Sequence, residues 1–195
     1  MASTPRIPKA ELTDADRGSL ERFSGLLGDV PESAKVILHN RAVFTSMTAF
    51  GGETKKWDQL DPNLKSFAHM AVAALVGCSW CLDFGYFMAH NEGLDEAKAS
   101  EVPRWRESPV FTSLERDVME YAEAMSETPP RVTDELFARL LEQLGAPVMV
   151  ELTAVVGFEN MAARNNTALG IESEGFSKAC ELPLAQPSAG YATST

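Results

Sequence analysis

Apolar residues recur every three to four positions from "LTDADRGSLERFSGLLGDVPESAKVILHNRAVFTSMTAFGG" onward, and runs of β-branched residues are nearly absent. That period lines one face of a helix and does not fit the alternation of a half-buried strand. The pattern predicts helices over Asp14 to Leu27, Glu32 to Leu38, Arg41 to Phe50, Pro62 to Val76, Ser79 to Asn91, Thr112 to Ser126, Thr133 to Leu144 and Pro147 to Leu169. Boundary residues agree with it. "DPN" before Leu64 and Thr133 with its acidic neighbours suit helix starts, and Gly93 and Gly145 suit helix ends. The expected fold class is all-α. A stretch as apolar as Met70 to Val76 must be covered on nearly all sides, by neighbouring helices or another subunit, so a homo-oligomer is expected. Residues 1–12 and 182–195 are small, polar or proline-bearing, and are expected as loose ends of a single domain over 13–181.

Composition narrows the setting. The 195 residues are 45% hydrophobic, enough for one sizeable core. Seventeen Lys plus Arg against 28 Asp plus Glu leave a net charge of −11, which disfavours nucleic acid and anionic membranes as partners. The N-terminal stretch has no apolar signal-peptide region, and no window reaches the ~18 to 20 apolar residues of a membrane span. A soluble cytoplasmic protein is expected. Three cysteines, an odd number, do not make a secreted disulfide framework, and a close pair in a reducing compartment points to redox chemistry or a metal.

The pair is Cys78 and Cys81, in "GCSWCLDFGYFMAH", at the expected start of a helix after Gly77. A sulfur there meets unsatisfied backbone N–H groups and the positive end of the helix dipole, both of which favour the thiolate. With a second sulfur about one turn away, one can be oxidised by substrate and the other can close a disulfide. The plain alternative is two small side chains packed in a core. A structural zinc site needs four ligands, and the chain offers no second CxxC and no H-x-x-x-H, so no metal and no cofactor is expected. His90 lies about 180° around the helix from Cys81, and Asp83 about 160° the other way, where it reads as a solvated or capping carboxylate.

"LDPNLKSFAHMAVAALVGCSWCLDFG" resembles the signature helix pair of the carboxymuconolactone decarboxylase and alkyl hydroperoxidase D superfamily. "ENMAARNNTALGI" resembles its closing segment and "ILHNRAVFTSMTAFGG" its lead-in, so the likeness spans roughly Val36 to Ile171. The resemblance implies an alkyl hydroperoxidase D-like helical bundle with a CxxC helix hairpin. For the peroxidase branch it implies a small-molecule hydroperoxide as substrate and an external thiol as reductant. Cys81 would be the attacked thiol and Cys78 the resolving one. That branch relays protons through a Glu on the preceding helix and a His one turn after the second cysteine; those positions hold Ser66 and Gly85 here. Losing such a relay removes assistance typically worth ~10² to 10⁴ in rate.

His69, one turn beyond Ser66 on the same helix, is the candidate substitute base; the alternative is a histidine satisfied in the core. Glu151 and Glu159 on the last long helix are further candidates to face the same pocket. Asn160, Arg164, Asn165 and Asn166 form a polar cluster in an apolar segment. It suits a carboxylate or acyl head group as ligand, or else the capping of a helix end or the lining of a subunit contact. Its chemistry would serve a lactone decarboxylase-like enzyme, the branch that works without a cysteine pair. A ligand-binding member without catalysis is the other alternative. His39, Asn40 and Arg41 fall at a helix break, Cys180 reads as a bystander, and the tryptophans and phenylalanines read as core or interface. No nucleotide, serine-hydrolase or metalloprotease motif occurs.

Overall fold

The computed structural model describes residues 5–186 apart from 15, 18, 19, 21–24, 26 and 28. Seven α-helices follow in order among the described residues: α1 Glu32–Ile37, α2 Arg41–Thr54, α3 Pro62–Val76, α4 Ser79–Asn91, α5 Glu96–Ala99, α6 Ser113–Ser126 and α7 Asp134–Leu169. Short 3₁₀ turns at Val102–Arg104 and Phe176–Ala179 complete them, and no described residue is in a strand. The all-α expectation holds. The helix expected over Asp14 to Leu27 lies largely outside the described residues.

Local chemistry sets the boundaries. Asp61 caps α3 by accepting the N–H groups of Asn63 and Leu64, with Pro62 in the first turn where no N–H is needed. Thr112 and Glu115 close a reciprocal capping box on α6, and Thr133 caps α7 by accepting from Leu136 N. The two helices expected on either side of Gly145 form one element broken there. Gly145 holds φ 77°, ψ 163°, and Pro147 follows within the next turn. The helices that the periodicity missed are short: α5 has four residues and carries too few positions to show a period.

α3 is the central helix, packed against α4, α6 and α7. Phe67, Ala68, Met70, Ala71, Val72 and Ala73 are all fully buried on it. Its alanines let three neighbours approach closely, while Phe67 meets Phe111 edge to face with centroids 5.7 Å apart. α6 adds Val118, Met119 and Ala122, and α7 adds Leu140, Leu152, Val156 and Ala163. A smaller cluster of Leu20, Val30, Ala34 and Leu38 sits around α1, beside the Asp16–Arg41 ion pair at 2.6 Å.

Two expectations need correcting. The ends expected to be loose are tied down where they are described. Arg6 N donates to Leu169 O and Ala10 N to Lys35 O, and Ala185 N donates to Ser100 O. Composition reports apolar burial and is blind to such main-chain hydrogen bonds. Second, α7 is long and apolar enough, by length and composition, to cross a membrane, although no such segment was expected. In this fold its apolar face packs on α3 and α6, and it buries Glu151 and Glu159 within the protein.

Phe67→Ala removes a fully buried ring from the helix on which α4, α6 and α7 pack. A loss of about 3 to 5 kcal/mol is expected, read as a lower denaturant midpoint with the helical circular dichroism of the folded baseline kept.

Candidate active site at the junction of α3 and α4

α3 ends at Gly77, which takes the left-handed conformation (φ 76°, ψ 26°). Gly77 N donates to Ala74 O at 3.2 Å and Cys78 N to Ala73 O at 2.9 Å, closing the helix end. A side chain at Gly77 would strain this turn, and the turn sets the next residue as the cap of α4. That residue is Cys78. Its Sγ accepts the Cys81 N–H at 3.2 Å, the task that Ser or Asp usually performs at a helix start. Cys81 sits in the first turn of α4, and the Asn166 amide of α7 donates to its Sγ at 3.4 Å. Both thiols are free and each is only 2% exposed.

His69 reaches this pair from α3. Its Nδ1 lies 2.9 Å from Glu159 Oε2 on α7, and its Nε2 lies 3.3 Å from the Cys81 carbonyl oxygen. Gly85 makes the room. A Cβ on Gly85 would stand 2.7 Å from His69 Cδ2 and 2.9 Å from Nε2, closer than atoms pack. The imidazole therefore fills the space above the position where the resemblance places a histidine. Glu159 is 1% exposed, and its Oε1 has no hydrogen-bond partner among the described residues.

The electrostatics follow from these contacts. Burial alone would lower the His69 pKa, but the Glu159 carboxylate, with hydrogen bonds to Glu159 and the Cys81 carbonyl, raises it above the usual value. Hydrogen bonding from Cys81, through the thiol and then the backbone N–H, lowers the Cys78 pKa against burial and the nearby Glu159 charge. The Cys81 thiol is pushed up by its bond to Cys78, by burial and by Glu159. Of the two sulfurs, Cys78 is therefore the one that gives up its proton more readily, and Cys81 keeps its proton longer.

Asp83 fixes the wall beside Cys78. It is 3% exposed, and its Oδ2 accepts from Ser173 Oγ at 2.7 Å, Gly175 N at 2.7 Å and Phe176 N at 2.9 Å. Ser177 N donates to its Oδ1 at 2.8 Å. Burial opposes ionisation, yet these donors together hold the carboxyl below its usual pKa. Asp83 is a capping carboxylate, as the sequence suggested, for the Phe176–Ala179 turn. A groove of about 770 Å³ runs between α3 and α4 and residues 173–186, lined by Ala74, Cys78, Leu82, Cys180, Pro183 and Leu184 among others.

The structure thus brings Cys78, Cys81 and His69 together and adds Glu159 and Asn166. Glu151 goes elsewhere: it pairs with Lys65 at 2.6 Å and accepts Gln59 N at 2.8 Å. Asn160 Nδ2 donates to Ser126 Oγ at 2.7 Å and Arg164 to Ser126 O at 2.6 Å, so those two cap the end of α6. His39 bonds Pro8 O at 2.7 Å. His90 and Glu96, close in sequence, and the distant Cys180 bring their donor atoms within 4.8 Å of one another. Spacing had not grouped them, and Glu96 there is already held by His90 at 2.7 Å, Tyr86 at 3.1 Å and Leu182 N at 3.0 Å. Glu159 and Asn166 were both candidates from the sequence, the first for this pocket and the second within the polar cluster. They stand seven apart with Ala163 between, on one apolar stripe of α7, where a polar residue is out of place unless it has a task.

Residues 41–124, from α2 to the last turns of α6, match the carboxymuconolactone decarboxylase family. The uncharacterized protein YnjA of Escherichia coli is 36% identical over 129 residues, covering 66% of this chain and 69% of YnjA. The chain belongs to the carboxymuconolactone decarboxylase family. Its fold is that of the alkyl hydroperoxidase D-like members. The AhpD-core, peroxidase-related protein from Ralstonia eutropha superposes with TM-score 0.78 at 17% identity, over 92% of this chain and 97% of its own. The debrominase Bmp8 in complex with 2,3,4-tribromopyrrole superposes with TM-score 0.76 at 18% identity, over 87% and 93%. At these identities the likeness is one of fold. Glu159 and Asn166 lie beyond the family-matched segment, so the site of this family member is completed by α7.

Two substitutions test the geometry. Gly85→Ala must push the His69 ring off its place, and alkylation of the thiols at neutral pH should slow as much as in His69→Ala. Asp83→Asn weakens four hydrogen bonds to a buried charge and should cost about 1.5 to 3 kcal/mol at neutral pH. Because the folded pKa of Asp83 is depressed, its contribution is present above the unfolded value of about 3.9 and disappears as pH falls through the folded one. Unfolding by denaturant below about pH 4 should show wild type and Asp83→Asn converging.

Proposed function

We propose that this chain is a thiol-dependent oxidoreductase that reduces a hydroperoxide through Cys78 and Cys81, with His69 and Glu159 as the proton relay. The observation that carries the reading is the 2.9 Å contact between the half-buried His69 imidazole and the buried Glu159 carboxylate, set against the thiol pair. It occupies the place of the relay that Ser66 and Gly85 cannot provide. Over one cycle the pair gives two electrons and two protons to R–O–OH, yielding R–OH and water, and becomes a disulfide. An external dithiol returns the pair to its reduced form. The imidazolium of His69 supplies the proton to the leaving alkoxide, and the neutral ring accepts one from the second thiol.

The alternatives have less support. A lactone decarboxylase-like role was tied to the Asn160–Asn166 cluster, and its Asn160 and Arg164 are engaged in capping α6. A binding role without catalysis gives no reason for a buried carboxylate and imidazole beside two sulfurs. The reading includes self-association, which would cover the exposed Val43, Phe50 and Met161 and the 71% exposed Val150. It also includes a reducing, cytoplasmic setting.

Reduced protein treated with cumene hydroperoxide should lose two free thiols per chain; no loss over hours defeats the reading. 2,3,4-Tribromopyrrole is the comparison electrophile, because the similarly folded Bmp8 is a debrominase solved with it. His69→Ala should slow the peroxide reaction by about 10² or more.

The pH profile gives a second test. The Glu159 carboxylate raises the His69 pKa, so the imidazolium persists to higher pH than in a free histidine and is lost as pH rises through the raised value. Glu159→Gln removes the charge that raises it, so the alkaline fall in rate should move to lower pH. An unmoved alkaline limb would exclude Glu159 from the relay.

A further inference from the structure

We infer that Cys78, not Cys81, is the sulfur that meets the substrate, at the floor of the groove between α4 and residues 173–186. The inference rests on the thiol-oxidoreductase reading and reverses the order that the family resemblance implies for the two cysteines. Three observations carry it. Cys78 is the cap of α4 and accepts the Cys81 N–H at 3.2 Å, so the helix start stabilises negative charge on this sulfur. The groove of about 770 Å³ is lined by Cys78 and not by Cys81. Cys81 turns inward, its Sγ held by the Asn166 amide at 3.4 Å and its carbonyl by His69.

The empty side-chain position at Gly85 fits the same order. A histidine one turn after the second cysteine would act on that cysteine. Here the imidazole instead stands on the Cys81 main chain and pairs with Glu159 from α7, where it serves the junction between the two sulfurs. Asp83 adds to the arrangement by anchoring Ser173, Gly175, Phe176 and Ser177, which keeps the groove wall in place next to Cys78.

The chemistry then runs in one direction. The Cys78 thiolate attacks the terminal oxygen of R–O–OH; an S–O bond forms, the O–O bond breaks, and the alkoxide leaves as R–OH with the proton of the His69 imidazolium. Neutral His69 takes the proton of the Cys81 thiol. The Cys81 thiolate attacks the Cys78 sulfenic sulfur, an S–S bond forms, and hydroxide leaves with that proton as water. Two electrons have passed from the pair to the peroxide, and an external dithiol restores them.

The test uses full-length Cys81→Ser and Cys78→Ser, reduced, with cumene hydroperoxide and dimedone, read by intact and peptide mass. Cys81→Ser is expected to form a dimedone adduct on Cys78 at least tenfold faster than Cys78→Ser forms one on Cys81. Equal rates, or a faster adduct on Cys81, overturn the inference. If the peroxide oxidises neither variant, the peroxidase reading fails, and limited iodoacetamide on the wild type at pH 7 decides this inference alone. Alkylation first at Cys78 upholds it; alkylation first at Cys81 overturns it. For the groove, Leu182→Trp places bulk at an exposed wall position whose main chain keeps its hydrogen bonds. It should slow cumene hydroperoxide about tenfold more than it slows hydrogen peroxide; an unchanged cumene hydroperoxide rate overturns the groove as the route of entry.

Discussion

The contact between His69 and Glu159 is the constraint on which the site depends. A carboxylate with 1% exposure would carry a desolvation cost of several kcal/mol if unpaired, and His69 at 2.9 Å is the cation that offsets it. The same carboxylate works against the sulfurs, raising the pKa of each. The Cys78 pKa is lowered all the same, because two features outweigh it: the hydrogen bond from the Cys81 thiol and the N-terminus of α4, which delivers the Cys81 N–H to Cys78. Removing either should leave two inert, buried thiols.

The rest of the fold can be understood as support for that balance. α3 carries His69 and ends at Gly77, and the left-handed turn there aims Cys78 at the start of α4. Gly85 keeps α4 thin where the imidazole must pass. α7 comes in across α3 with Glu159 and Asn166 on one stripe, so a single helix face contacts both the relay and the sulfur. Asp83 holds the chain after α7 against α4 and thereby shapes one wall of the groove. The buried face of α3, with its alanines at the contacts, fixes the separation of these parts.

Much of this was legible in the residues. The 3.6-residue period and the caps at Asp61, Thr112 and Thr133 placed most of the helices, because helix ends are decided locally by which side chain satisfies the first N–H groups. The cysteine pair was visible from its spacing and the odd cysteine count, and His69 from its position one turn past Ser66. What the sequence left open depends on rotation and distance in three dimensions. Glu159 lies ninety residues beyond His69, and only the seating of α7 after the Gly145 break shows that Glu159 faces the thiols while Glu151 faces Lys65. The polar cluster divided in the same way, with Asn166 turned to Cys81 and Asn160 and Arg164 turned to Ser126. The docked ends and the approach of Cys180 to His90 and Glu96 rest on main-chain bonds and tertiary proximity that no periodicity encodes.

The central claim is that the imidazole and the sulfurs are coupled to one another at this site. It is tested most directly by following the His69 ring by NMR across the pH range in reduced wild type and in Cys78→Ser. With the thiolate gone, one of the charges that raise the His69 pKa is removed, so its midpoint should fall in the variant. An identical midpoint in the two proteins would mean that imidazole and sulfur do not sense one another, and the relay account would be contradicted.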